Sequence, residues 1–262
     1  MLYGMIVVTT ILLFFRLVYL KRQATACTIS LLKLGQEKIH PMIIQTIDEC
    51  LIVVTDPIGT GKTGVVACAI ANEIITAFAK EAKIYISPLD FLKKACFHAH
   101  RGISEKINAN NGGCSIAIIY IYKRQMYYAS VGDICIYSFK KELIRLNHLD
   151  IYAHKLIRPM LEGKIKESDI NLNPLKNEVV AYLGHENLKK INLSEQSYKL
   201  KKREKILILT KEVHQTVSPI CLEKIMKKRK KSHLIEQNYQ QNKQVKKRDE
   251  SIPNGVLVSN FK

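Results

Sequence analysis

Several absences narrow this sequence before any motif is read. Its 262 residues contain no tryptophan, only 7% are aromatic, and its seven cysteines form no Cys-x-x-Cys pair. The odd number and the scattered apolar settings of Cys27, Cys50, Cys68, Cys96, Cys114, Cys135 and Cys221 point to reduced, buried thiols rather than a disulfide framework. Acidic residues are scarce, 23 against 41 lysines and arginines, for a net charge of +18. The basic stretches have no interleaved aromatics and match no known binding module, so nucleic acid is not an expected partner. No basic segment precedes the apolar N-terminus and no small-residue cleavage site succeeds it, which argues against a cleaved signal peptide. There is no internal repeat.

What is present begins with that apolar run. Leu2 to Phe15 is mostly apolar, Arg16 interrupts it, and Leu17 to Leu20 continues it up to Lys21-Arg22. The run is close to the roughly 20 residues a bilayer requires, with Arg16 snorkelling to the interface. The positive C-terminal flank places the rest of the chain in the cytoplasm. The expectation is a single-pass membrane anchor at 1–22 carrying a cytoplasmic domain at 29–225. A basic low-complexity linker at 226–250 comes next, rich in Lys, Gln and Asn, and 251–262 supplies a last strand centred on Gly255 to Ser259. The late basic charge reads as a solvated face, or as one drawn to an anionic membrane surface.

Within the domain, Leu51–Val54, Ser115–Tyr122, Met126–Val131 and Ile206–Thr210 read as strands. The two middle ones form a hairpin turned at Lys123-Arg-Gln125. Val65–Ala82 and Pro88–Asn108 read as helices. Long helices segregated from antiparallel hairpins imply an α+β layered domain. Cys96, His98 and His100 are spaced like local metal ligands, but without a second ligand set they read as a helix with one buried face.

The chemistry turns on Leu51-Ile-Val-Val-Thr-Asp56-Pro-Ile-Gly59-Thr-Gly61-Lys62-Thr63-Gly64-Val-Val-Ala67. Gly59 to Thr63 is close to a phosphate-cradling P-loop, in which backbone N–H groups wrap a polyphosphate and lysine neutralises it. Counting back from Gly61, however, Asp56 stands where the first glycine belongs. No later strand ends in a Mg²⁺-binding Asp. An ATP-binding protein using Gly59–Thr63 is therefore one alternative.

The same stretch resembles the Asp-Gly metal motif of the type 2C (PPM-type) Ser/Thr protein phosphatases, with Asp56, Gly59, Gly64 and Ala67 at matching positions. Later segments resemble that family in its own order. They are Gly113–Tyr122, Met126–Tyr137 with Gly132-Asp133, Leu143–Leu146, Leu161–Ile165, Asn173–Gly184 and Lys205–Glu212. The resemblance implies a β-sandwich flanked by helices in four layers, αββα. It also implies hydrolysis of phosphoserine and phosphothreonine by a water bridging two Mg²⁺ or Mn²⁺ ions, which take carboxylate ligands.

Most of those ligands are absent here. On the family's pattern its phosphate-holding arginine becomes Lys38, its early carboxylate Ile43, and the glycine of Asp-Gly becomes Pro57. Ser-Asp-Gly has become Thr210-Lys211-Glu212, and Ile252-Pro253 stand where a late Asp-Asn belongs. Asp56 is the residual ligand, with Glu212 and Asp249 as possible substitutes, and Asp133 reads as a structural turn residue. A lysine about 5 Å from a divalent ion costs roughly 6–7 kcal/mol at an effective dielectric near 20. Lys211 is thus expected to replace the metal, pairing with Asp56. No cofactor is expected, or Mn²⁺ or Mg²⁺ if the protein is active. The leading expectation is a membrane-anchored pseudophosphatase that binds a protein partner, for instance a phosphoprotein. An active Mg/Mn-dependent Ser/Thr phosphatase with altered ligands is the other alternative.

Overall fold

The computed structural model describes residues 27–33, 41–46, 48–59, 62–107, 112–227 and 254–259. The expected anchor at 1–22, most of the basic linker, Lys38 and Asp249 lie outside them.

Two antiparallel sheets form the centre. One has the strand order β1 (Thr28–Lys33), β11 (Asn254–Ser259), β10 (Lys205–Leu209), β6 (Cys135–Phe139), β7 (Leu143–Arg145). The other runs β2 (Met42–Gln45), β3 (Glu49–Ile58), β4 (Gly113–Tyr122), β5 (Gln125–Val131), β8 (Asn192–Leu193), with β9 (Tyr198–Lys199) also paired to β5. Helices α1 (Thr63–Glu81) and α2 (Pro88–Lys106) cover the second sheet. Helices α5 (Lys211–Thr216) and α6 (Pro219–Lys227) cover the first. The short helices α3 (Tyr152–Leu161) and α4 (Glu167–Leu172) stand apart, with no fully buried residue.

Side-chain alternation shows why this order is stable. In β3, Cys50, Ile52 and Val54 point between the sheets, where they meet Ile136, Ile208 and Val258. Leu51 and Val53 point the other way, onto Ala67, Ala71, Leu92 and Ala99 of α1 and α2. In β10, Ile206 and Ile208 face the sandwich while Leu207 and Leu209 face Val213 and Leu222. Each central strand is covered on both faces. That is why its sequence is a continuous apolar run rather than an alternating one. The architecture is α+β in four layers, αββα, as the resemblance implied.

The boundaries differ from expectation in small, explicable ways. The β4–β5 hairpin turns on Lys123 and Arg124 alone, with φ of 45° and 65°. Gln125 already belongs to β5. Two left-handed residues give the turn the twist the flanking strands need, without the glycine that usually signals it. Strand β10 stops at Leu209, because Thr210 is the N-cap of α5. Helix α2 ends at Lys106 rather than Asn108.

Helix α1 is, among the described residues, long and apolar enough to cross a membrane. Its face Gly64, Ala67, Cys68, Ala71 and Ile75 is instead buried against the sheet, as in a core helix. Its start is pressed onto β3. A Cβ on Gly64 would lie 2.8 Å from both the Ile58 carbonyl oxygen and the Pro57 Cβ.

Candidate functional site

Four segments meet at one end of the sandwich. Strand β3 delivers Asp56, and β4 delivers Ser115 directly opposite it in register. The bend between β5 and β6 delivers Gly132-Asp133. The step from β10 into α5 delivers Thr210-Lys211-Glu212. Gly132 has φ +96°, and a Cβ there would collide with the Ser115 side chain. The glycine therefore lets the Asp133 backbone close onto Ser115. The Ser115 hydroxyl donates to Asp133 Oδ1 at 2.8 Å, and the bend is tied from below by Gly132 N–H donating to Asp150 Oδ2 at 2.9 Å.

This geometry buries a carboxylate. Asp133 is 1% exposed, and its Oδ2 has no hydrogen-bond partner. The Lys211 Nζ lies 3.8 Å from that oxygen. The Lys211 backbone N–H donates to Asp56 Oδ2 at 3.4 Å. Lys211 thus touches both acids, one through its amine and the other through its peptide. Burial together with the nearby Asp133 charge raises the Asp56 carboxyl to about 7, against which the Lys211 N–H works. Burial also raises Asp133, opposed by the Ser115 hydroxyl and then by the Lys211 charge.

The expected partner of the Lys211 amine was Asp56, and the ion pair is instead with Asp133. The reason is packing. As the first residue of α5, Lys211 presents its N–H to Asp56, and its side chain runs on to the bend. Asp133 does occupy a turn, but its carboxylate belongs to the site as fully as that of Asp56. Glu212 is partly buried and raises the Asp56 carboxyl by charge repulsion. Ile43, expected at the place of an early carboxylate, lies in β2 opposite Ile52.

The P-loop reading does not survive the topology. Strand β3 is flanked on both sides by antiparallel neighbours, β2 and β4. The nucleotide-binding unit instead needs the strand of a parallel βαβ layer. Lys62 is an exposed residue at the start of α1. Of the spaced Cys-His group, Cys96 is fully buried in the helix–sheet core. His100 Nδ1 accepts the Gly184 N–H at 3.0 Å.

Beside the site, under Asp150, lies a cleft of about 540 Å³ with an apolar floor that includes Leu149 and Val180. Its walls carry His154, Lys155, Lys189 and Lys190. None of these three lysines forms an ion pair among the described residues. Sequence reasoning missed this cleft. The signal for it was the Asn173–Gly184 segment, whose Val180 N–H is held by the Asp150 carbonyl at 2.8 Å.

No family model matches the sequence, and neither does any curated protein. Solved structures do match in fold. The S. agalactiae serine/threonine phosphatase superposes with a TM-score of 0.73 at 17% identity, covering 89% of this chain and 99% of that one. The Mycobacterium tuberculosis serine/threonine phosphatase PstP/Ppp gives 0.71 at 14%, covering 91% and 100%. The catalytic domain of PstP in complex with two manganese ions gives 0.63 at 13%, covering 89% and 97%.

Proposed function

We propose that this chain, which has the fold of the PPM-type Ser/Thr phosphatases, works as a pseudophosphatase. In this reading a binding or regulatory domain without a two-metal centre is held at a membrane by its N-terminal apolar run. The observation that carries the reading is the place of Lys211. It occupies the position of the carboxylate in Ser-Asp-Gly, with its amine 3.8 Å from Asp133 Oδ2. Its N–H lies on Asp56 Oδ2. Two divalent ions need several hard oxygen ligands of negative charge. Here the Lys211 ammonium faces Asp133 and its peptide N–H meets Asp56 instead. The residues present do not fit a dimetal centre, so no hydrolytic step runs through metal in this reading.

The structural neighbours are phosphatases of serine and threonine. The retained role is therefore recognition of a protein partner, for which the Lys155–Lys190 cleft offers a basic, concave surface suited to a phosphoprotein. The test is Mn²⁺ titration calorimetry on the full chain, with hydrolysis of a generic phosphoester assayed on the same sample. The expected result is neither binding nor turnover. Binding of about two ions with turnover lost in Asp56→Asn would instead establish an active phosphatase with substituted ligands.

A further inference from the structure

The opposite end of the sandwich has its own chemistry. Strand β4 crosses the domain in ten residues, about 30 Å at roughly 3.3 Å per residue. It leaves the Asp56 end at Gly113 and arrives at Tyr122. There the Lys123-Arg124 turn is bound to the segment before β10, with Leu200 N–H donating to the Arg124 carbonyl at 2.9 Å. The β6–β7 turn, Lys140-Lys141, lies at the same end, because Phe139 pairs with Lys205. So does the turn Lys201-Lys202-Arg203. It is fixed by Glu204, which accepts from the Lys201 N–H at 2.6 Å and from the Ser138 hydroxyl at 2.5 Å.

Lys123, Lys140, Lys141, Lys201, Lys202 and Arg203 are all exposed. None forms an ion pair among the described residues. Asp48 and Glu142 are exposed acids close by. Glu204 is buried and occupied by its own hydrogen bonds. The cations therefore come from three separate turns and crown one end of the domain.

The chain also enters the domain at this end. Thr28 pairs with Ser259, and Ile206 with Val258, so β1 begins beside the start of β10. The Gln45 side-chain amide donates to the Cys27 carbonyl at 3.0 Å, placing the edge of the other sheet there too. The apolar run Leu2–Leu20 and the basic pair Lys21-Arg22 immediately precede this point in the sequence. From Leu20 to Cys27 the chain can reach at most about 25 Å. That tether keeps the cationic end within reach of any bilayer the run enters.

We propose that this end, made of the β4–β5, β6–β7 and pre-β10 turns, is a docking surface for an anionic lipid bilayer. It orients the Asp133–Lys211 site and the neighbouring cleft outward, toward soluble partners. The proposal uses the anchor reading only to locate the bilayer. Each lysine near an anionic surface is attracted independently, and salt screens that attraction over about 8–10 Å.

Trypsin reads the surface directly, because its cleavage sites are the docking residues. The full chain is mixed with phosphatidylcholine vesicles, with or without 30 mol% phosphatidylserine. Cleavage at Lys140 and Arg203 is compared with cleavage at Lys164, an exposed residue between α3 and α4 that belongs to none of the three turns. The expectation is about tenfold slower cleavage at Lys140 and Arg203 on phosphatidylserine vesicles alone, with Lys164 unchanged. The shielding should disappear in 0.5 M KCl and in the triple variant Lys123→Glu, Lys141→Glu, Lys202→Glu. Equal shielding on both vesicles, shielding at Lys164, or shielding by an RNA oligonucleotide but not by vesicles would overturn it.

Flotation of the same samples separates the two readings. A chain that floats with phosphatidylcholine but is not shielded keeps the anchor and loses the surface. One that floats only with phosphatidylserine and is shielded keeps the surface and loses the anchor. Neither result bears on Mn²⁺ binding, which decides the pseudophosphatase reading by itself.

Discussion

Replacing Asp56 by asparagine should stabilise this protein, and the gain should depend on pH. In the folded chain the Asp56 carboxyl is raised from 3.8 to about 7, first by burial and then by Asp133. A carboxyl raised on folding binds more protons in the native state than in the unfolded one. Its charge therefore costs nothing below the unfolded value near 3.8, and the cost grows until pH passes about 7. At about 1.4 kcal/mol per unit the ceiling is roughly 4 kcal/mol. The side chain is only partly buried, so solvent screening lowers the expected gain to about 2 kcal/mol. Asparagine keeps an oxygen for the Lys211 N–H. Urea unfolding at pH 8 should therefore show Asp56→Asn more stable by about 2 kcal/mol, or roughly 4–8 °C in Tm for a domain of this size. At pH 4 the two proteins should be indistinguishable. A variant less stable at pH 8, or an equal difference at both pH values, would refute the reasoning. The first result would mean that Asp56 is the charged partner of the Lys211 amine, and the second that its titration plays no part in stability.

Lys211→Met should have the opposite sign, leaving Asp133 Oδ2 buried without its cation. The cost should be about 2–4 kcal/mol at pH 7.5, because protonating the acid caps the loss, and it should shrink toward pH 4. Adding 1 mM Mn²⁺ should move the wild-type Tm by less than about 1 °C. In Lys211→Asp a weak site with Kd near 0.1 mM would add about 1.4 kcal/mol of stability at that concentration. No Mn²⁺ response in that variant would show that the amine is not what excludes the ion. Gly132→Ala combines a left-handed φ with a collision on Ser115 and should cost about 2–4 kcal/mol by denaturant unfolding. Gly163→Ala, at φ +71° with open space around it, should cost only about 1–2 kcal/mol. Equal losses at the two glycines would show that crowding at Ser115 plays no part.

The central strands were legible because their information is local, whereas the sandwich they build came only from the resemblance. Leu51–Val54 and Ile116–Tyr122 are apolar at every position since each strand is covered on both faces. The hairpin between β4 and β5 was legible from the paired runs, but its turn was misjudged by one residue. Two non-glycine residues with positive φ carry no sequence mark. At the site, the resemblance implied a carboxylate replaced at Ile43 and at Lys211 and a glycine replaced at Pro57. The cleft beside Asp150 could not be read from the sequence, because its walls come from residues 149–155 and 180–190, brought together by long-range backbone pairing such as the Val180–Asp150 bond and the Ile151–Val179 bridge.

The sequence by itself determined which side chains are available: an acid at 56, an amine at 211, an apolar run before Lys21-Arg22, and strands apolar on both faces. Only the tertiary structure decided who meets whom. Lys211 pairs with Asp133, 78 positions earlier (211 − 133), because Gly132 lets that bend close under Ser115 and the first turn of α5 aims its amine there. Three basic turns share an end with Cys27 because antiparallel pairing returns β1, β4, β6 and β10 to the same edge. Spacing along a chain fixes local conformation. The meeting of groups distant in sequence depends on register and layer packing, which arise only when the sheets close on each other.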